Sequence, residues 1–309
     1  MSLTSPVPAV AGLEHAEAVP ALPAAAMLHG WRRTWFRFRQ RKAALVALIF
    51  VVVLLVAAAL APVIAPFDPT EQHLSERNKS FTSTYWLGTD DLGRDLLSRL
   101  LHGLRTSLLA SFVAVCLAVA IGLVVGVLAG YLGKWVDALL MRLTDAFIAV
   151  PGLLITMSFV SVLGPGLKSV IIGLGVAFSP SFIRLFRAQV LAVKEEQFVE
   201  AAVVAGAGDL RIVRKHILPN AVAPIIVQGL MAMGLALLAE GALSYLGLSV
   251  RPPGSSLGTI LQRGFSFKEK SVQPIYMAGL FITSLSWAFN IVADGLRDAI
   301  GRGEIGGNG

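Results

Sequence analysis

Few side chains in this sequence stand in arrangements that make or break covalent bonds. Its five histidines, His15, His29, His73, His102 and His216, include no close pair at metal-ligand spacing, and neither Gly-x-Ser-x-Gly nor His-Glu-x-x-His occurs. Gly133-Lys134 is followed by Trp135, and Leu128 takes the place of the first glycine of a phosphate-binding loop, so no P-loop is present. The sequence therefore argues against an intrinsic enzyme, with no catalytic residue, no metal ligand and no cofactor expected in the chain. What remains is charge placed where it is expensive, and small or polar residues grouped where another surface can meet them. Glu240 lies about twenty residues into an apolar segment, with Ser244 one helical turn further on. A carboxylate at that depth costs on the order of 2.5–3.5 kcal/mol on insertion scales, so it faces protein or water. Two roles fit Glu240 and Ser244: lining a solute pathway, or a hydrogen-bonded structural site.

Two longer constellations suggest recognition. From Glu200 to Pro219 runs a polar island between strongly apolar segments. Residues 195–205 are good helix formers, and Ala201, Ala202 and Ala205 leave a thin face for close approach. Gly206 and Gly208 supply a turn. Asp209 stands at an N-cap position, Leu210, Val213 and Ile217 share one side, and Arg211, Arg214 and Lys215 occupy others, before Leu218-Pro219 marks a boundary. Two short helices at an angle would fit a partner's groove; the bland reading is an amphipathic loop lying on lipid phosphates. The second constellation runs from Gly88 to Ser107. Thr89 or Asp90 can cap a helix there, the leucines at 96, 97, 100, 101 and 104 form a stripe, and Arg94, Asp95 and Arg99 mark its polar side. Asp90, Arg94, Asp95 and Arg99 are thus expected at an outer mouth or on an interface helix.

The elements that must carry these residues are membrane spans. Of 309 residues, 55% are hydrophobic and only 15% charged, with mean hydropathy +0.73, more apolar material than a soluble core of that size buries. The sequence predicts an all-α, polytopic membrane protein with six spans, near residues 43–63, 107–132, 139–163, 169–188, 221–246 and 275–292. Arg32, Arg33, Arg37, Arg39, Arg41 and Lys42 precede the first span and place the N-terminus in the cytoplasm. Six crossings return the C-terminus there, and the polar island, with its own cations, falls on the same side. The formal charge of +7 is a matter of membrane topology, and no nucleic-acid partner is expected. The first span is too long, and too far from the start, for a cleaved signal peptide. Residues 1–30 are expected to be a disordered cytoplasmic tail, 31–70 a basic segment with the first span, 71–106 an extracytoplasmic segment with its interface helix, 107–298 the five-span core with the island at 194–220, and 299–309 a tail. Within the spans, Gly122, Gly126 and Gly130 form a small-residue face for helix packing, Arg142 and Asp145 neutralise each other, Pro151, Pro180 and Pro224 can kink or start spans, and Cys116 is a buried thiol.

The island resembles the EAA loop of bacterial ABC-importer permeases, in which Glu-Ala-Ala is followed three residues later by Gly and closed by Leu-Pro. His216 stands where that family has Ile. Gly88-Thr-Asp-x-x-Gly-Arg-Asp, Ser98-Arg99 and Gly103-x-Arg-x-Ser107 resemble the signature of dipeptide and oligopeptide importer permeases. Ala65-Pro-Phe-Asp-Pro69 and the span before it look like the N-terminal element of their C-type subunit, and Leu243-Ser-Tyr-Leu-Gly-Leu248 with Pro252-Pro253 matches a further run, with Tyr245 in place of Phe. The Asp-Pro-Arg that usually follows Asp298 is replaced by Gly301-Arg302-Gly303. The resemblance implies a type I, MetI-like permease fold in the cytoplasmic membrane. It implies as partners a second, homologous permease subunit, two cytoplasmic ABC ATPase domains that bind ATP and Mg, an extracytoplasmic substrate-binding protein and membrane lipid. The ATPase-docking surface it implies comprises Phe198, Glu200, Ala201, Ala202, Gly206, Asp209, Leu210, Arg211, Leu218 and Pro219. Peptides are the implied solute, with nickel chelates or another small solute as the alternative, and an ATP-independent channel or carrier as the rival class.

Overall fold

The computed structural model describes residues 24–305, with side chains from Arg32 to Ile300 apart from those of Val203 and Leu210. Among the described residues the regular elements are helices, joined by loops that hold one isolated bridge between Thr89 and Asp95. An amphipathic helix α1 (Ala24–Gln40) leads into α2 (Lys42–Ala59) and the short α3 (Ala61–Ile64). Helix α1 enters what the sequence assigned to a disordered tail, while the rest of that tail, residues 1–23, lies outside the described residues. After an extended segment comes α4 (Leu96–Leu132), whose 37 residues make a rod ~55 Å long, far more than the ~30 Å needed to cross a bilayer. The separate interface helix expected before residue 107 is the N-terminal part of this rod. The rod begins where the Asp95 carboxylate accepts a 2.8 Å hydrogen bond from the Ser98 amide.

The predicted third span is broken. Helices α5 (Lys134–Ile148) and α6 (Gly152–Leu163) meet at 89°. Pro151 disfavours helical backbone in Val150 before it, so the chain turns there. Pro180 and Pro224 instead lie inside α7 (Leu167–Lys194) and α10 (Leu218–Tyr245). Between these two run α8 (Gln197–Val204), α9 (Asp209–Ile212) and a π-helical turn, Val213–Ile217. The chain ends with α11 (Leu257–Ser266) and α12 (Gln273–Ile305). Five helices, α2, α4, α7, the run into α10, and α12, are long and apolar enough to cross a membrane, and the bent α5–α6 pair makes a sixth span if it counts as one.

Packing follows the glycines. A methyl at Gly126 would sit 2.7 Å from Phe186 Cβ and one at Gly130 2.8 Å from Val190 Cβ, so the small-residue face of α4 is filled by α7 of the same chain. The register, Gly122 on Phe182 and Gly130 on Val190, makes α4 and α7 parallel, with their C-termini at one end. Helix α12 runs antiparallel to α10, with Ser286 donating to the Gly234 carbonyl at 2.5 Å, and Arg41 pairs with Asp298. One end of the bundle therefore gathers α1, the end of α4, the α8–α9 segment and the end of α12. Across the broken span the ion pairs differ from the sequence expectation. Asp145 pairs with Arg184 of α7 at 2.6 Å rather than with Arg142, and Asp137 receives two bonds from Arg187 at 2.5 and 2.6 Å. Cys116, expected to be buried, is exposed on the surface of α4.

Candidate functional site

At the basic end of the bundle the 197–219 segment is held as a small folded unit. Val199, Ile212 and Ile217 are buried against Val190 and Val193 of α7. Tyr131, near the end of α4, donates a 2.6 Å hydrogen bond to Asp209 Oδ1, and Lys194 donates to the Tyr131 carbonyl at 3.1 Å with its ammonium over the tyrosine ring. Asp209 therefore ties the loop to α4 and is the first residue of α9 rather than its cap; the Gly208 carbonyl accepts the first bonds of that turn. Helix α8 stops because Gly206 adopts φ +79°, which lets the Ala207 amide reach back to the Ala202 carbonyl at 2.9 Å. His216 packs beneath Phe198 with ring centroids 5.7 Å apart.

With that core fixed, the opposite face of α8 is left outward. Gln197, Glu200, Ala201, Val204 and Ala205 line a broad, shallow cleft. Phe198 is 43% exposed and Val204 84%, a large cost in water for a chain that stands alone. Of the expected docking residues, Phe198, Glu200, Ala201, Gly206, Asp209 and Arg211 are exposed, while Ala202, Leu218 and Pro219 are half-buried, the last two in the first turn of α10. The side chain of Leu210 lies outside the described ones. Sequence reasoning singled out Ala205 with Ala201 but missed Gln197 and Val204, although positions 197, 201, 204 and 205 share one helical face.

The other polar residues are inside the protein. Glu240 and Ser244 have no exposed surface. Glu240 Oε1 accepts hydrogen bonds from Ser244 at 3.0 Å and Ser249 at 3.2 Å, and the Ser244 and Ser256 hydroxyls are 2.7 Å apart. Sealed within the subunit, the two side chains suit the hydrogen-bonded structural role of the two that the sequence allows. Their knot joins α10 to the start of α11, whose Leu257 amide donates to Ser107 of α4 at 3.2 Å.

Asp90, Arg94, Asp95 and Arg99 come together, but not as a polar outer face: each is 5% exposed or less. Asp90 Oδ2 accepts from Arg94 Nε at 2.7 Å and lies 3.3 Å from Arg99 Nε, while Oδ1 takes the Leu92 and Arg94 amides. Arg99 also donates to the Pro69 carbonyl at 3.1 Å. Beside them Arg263 grips Asp91 with bonds of 3.1 and 2.6 Å, which push its pKa further above the ordinary value. Sequence spacing could not show this, because Phe67 and Pro69, thirty residues upstream, fold back over Ser98 and Arg99 and exclude water. Nearby on the surface, hydrogen bonds from Thr70 hold the Asp68 carboxyl below its usual range.

Comparison with known proteins settles the class. Residues 122–305 match the model of the family described as binding-protein-dependent transport system inner membrane component, and residues 30–80 match the N-terminal TM domain of oligopeptide transport permease C. The chain belongs to this permease family. It is 41% identical over 272 residues to the dipeptide transport system permease protein of Haemophilus influenzae, covering 86% of this chain and 92% of that relative. It is 39% identical to the di/tripeptide transport system permease protein of Pseudomonas aeruginosa, with coverage of 86% and 90%, and 38% identical to the glutathione transport system permease protein of Shigella flexneri, with 87% and 89%. Among solved structures, an inward-facing MetNI methionine ABC transporter shares the fold, with TM-score 0.52 at 20% identity over 66% of this chain and 96% of that one. The permease is accordingly a multi-pass membrane protein with a MetI-like fold, a subunit of an ABC transporter in a family whose members are not themselves enzymes.

Proposed function

We propose that this permease is the C-type subunit of an ATP-driven importer of di- or oligopeptides, and that the 197–219 unit is its contact with a cytoplasmic ATPase. The carrying observation is the outward face of α8: Phe198 and Val204 stay exposed beside Glu200 while Val199, Ile212 and Ile217 anchor the segment from behind. A lipid-surface helix would bury its apolar side in the bilayer and turn cations outward. Here one apolar side anchors the segment to the protein, and the free face sets an acid, Glu200, among small residues and the exposed Phe198 and Val204, which suits a protein groove. Hydrolysis of ATP with Mg would take place in the partner domains. In this reading the basic end, with Arg32, Arg33, Arg37, Arg39 and Arg41, is cytoplasmic together with both termini, as the distribution of cations favours.

A second, homologous permease subunit would complete the pathway, and an extracytoplasmic binding protein would deliver solute to the end that carries the Asp90–Arg94–Arg99 cluster. The peptide assignment draws support from relatives whose names specify dipeptides, di- and tripeptides and glutathione, itself a tripeptide. Purification from native membranes in mild detergent, followed by mass spectrometry, tests the assembly. Co-purifying P-loop ATPases, a second permease and a peptide-loaded binding protein are the expected result. A homo-oligomer without ATPase would overturn the reading in favour of a channel or carrier, and a binding protein loaded with a nickel chelate would replace the solute.

A further inference from the structure

An apolar cleft of about 660 Å³ opens between α2, α4, α10 and α12. Leu55 and Ala59 form one wall, Leu109 and Phe112 another, and Met233 and Phe289 the floor. Its one charged lining residue is Arg105, at the end nearest the start of α4. Arg105 is also the last charged residue of that helix, since residues 106–132 carry none. Among the described residues it has no ion-pair or hydrogen-bond partner, and its side chain is exposed. From Arg105 to Val115 the cleft follows ten residues of α4, ~15 Å, which is half the ~30 Å hydrocarbon thickness of a bilayer. Gly229 keeps it open, because a Cβ there would meet nothing within 4 Å.

We infer that this cleft holds an acyl chain of an anionic phospholipid from the leaflet at the α4 N-terminal side, with the headgroup phosphate on Arg105. Depth, apolar lining and an unpaired cation at the headgroup level are the three features that such a ligand matches. A hydrated peptide finds no hydrogen-bond partner along these walls beyond Arg105, and its transfer there carries a desolvation cost of several kcal/mol. A helix of a second subunit would offer the unpaired Arg105 a partner only through an acidic side chain, whereas every anionic phospholipid brings a phosphate to that level. The site is independent of the ATPase-docking reading, since it needs only the membrane setting.

The test uses the full chain with the subunits that purify with it, placed in nanodiscs of mixed POPG and POPC and examined by native mass spectrometry during stepwise delipidation. The unmodified protein should retain a POPG molecule per copy after bulk lipid has gone. Gly229→Phe, which fills open space, and Leu109→Trp, at an exposed wall, should each abolish retention, whereas Gly229→Ala should keep it. Arg105→Gln should lower the preference for POPG over POPC about fivefold, the effect of one cation near an anionic headgroup. Equal retention in all variants, no change of lipid preference in Arg105→Gln, or a crosslink from Leu109→Cys into the second permease subunit would overturn the inference.

Discussion

Gly206 provides the sharpest test of the docking proposal, because its surroundings separate what the chain needs from what a partner needs. At φ +79° a side chain of the usual hand is strained by ~1–2 kcal/mol, and more for a β-branched one. Nothing in the chain lies within 4 Å of a Cβ built there, so steric clash inside the subunit adds nothing. Against that strain stand Val199, Ile212 and Ile217, each buried to 3% exposure or less. At ~1.5–3 kcal/mol for a buried aliphatic side chain, they hold the segment by roughly 5–9 kcal/mol. Gly206→Val should therefore insert, fold and display the loop almost normally, and the new isopropyl group should project from the face offered to the ATPase.

Solute-stimulated ATP hydrolysis and uptake in proteoliposomes should both fall at least about tenfold, with co-purifying ATPase reduced in parallel. Gly206→Asn completes the comparison, since Asn tolerates left-handed backbone at small cost yet still adds volume. It should fail nearly as badly as Val if the glycine serves the partner, and behave like wild type if the glycine serves the turn alone. Wild-type uptake in Gly206→Val would refute docking at this surface. Loss of membrane insertion would instead refute the strain calculation.

Val204→Asp, at an 84% exposed position, should leave thermal stability within about 0.5 kcal/mol while abolishing ATPase retention on a pull-down. Asp90→Ala leaves two buried guanidinium groups without their shared carboxylate and should cost ~3–5 kcal/mol, measured as a lower unfolding temperature and faster proteolysis between residues 65 and 95. Glu240→Gln should keep solute KM unchanged, since the residue is sealed from the surface; a KM shift without a loss of stability would restore the pathway role. Gly126→Leu drives a side chain into the Ile183 carbonyl and Phe186, so it should block folding in the membrane and be seen as degradation of the chain.

How far the sequence was legible depended on the range of each interaction. Spans α2, α4, α7, α10 and α12 were visible because a long, predominantly apolar stretch needs no partner to be recognised. The glycine stripe of α4 was visible too, as spacing alone places Gly122, Gly126 and Gly130 on one face. Pro151 flagged a kink but not its angle, since an 89° break requires something for α5 to lie against, and the Asp137–Arg187 and Asp145–Arg184 pairs that brace it join residues 50 and 39 apart. Asp90, Arg94, Asp95 and Arg99 read as surface because charge usually is. Their burial is caused by chain segments that no local pattern connects to them. Val204 was passed over for a related reason: in a sequence a valine reads as core, and only the geometry shows that Val199 takes the inward place.

These contacts also constrain how movement at the proposed docking loop can spread. Helix α10 is continuous from Leu218 to Tyr245, ~42 Å of rod by helical rise, and begins directly after the π-turn that contains Ile217. At its far end the Glu240–Ser244–Ser256 knot and the Leu257–Ser107 bond fix it to α11 and α4. If the ATPase pulls on α8, the anchored trio of Val199, Ile212 and Ile217 carries the load to α7 and α10 together rather than bending the loop alone. The π-turn is the least regular segment on that route, and π-turns in helices are often placed at functional sites. Deleting one residue from the regular α-helical turn that follows Pro224 in α10 should leave both helices formed but rotate the loop by about 100° relative to the far end of α10. ATPase binding and transport should then be lost together while the Glu240 knot stays intact, as reported by unchanged protease protection of residues 240–266. Preserved transport in the deletion variant would show that the loop's orientation on α10 is not what couples the two ends.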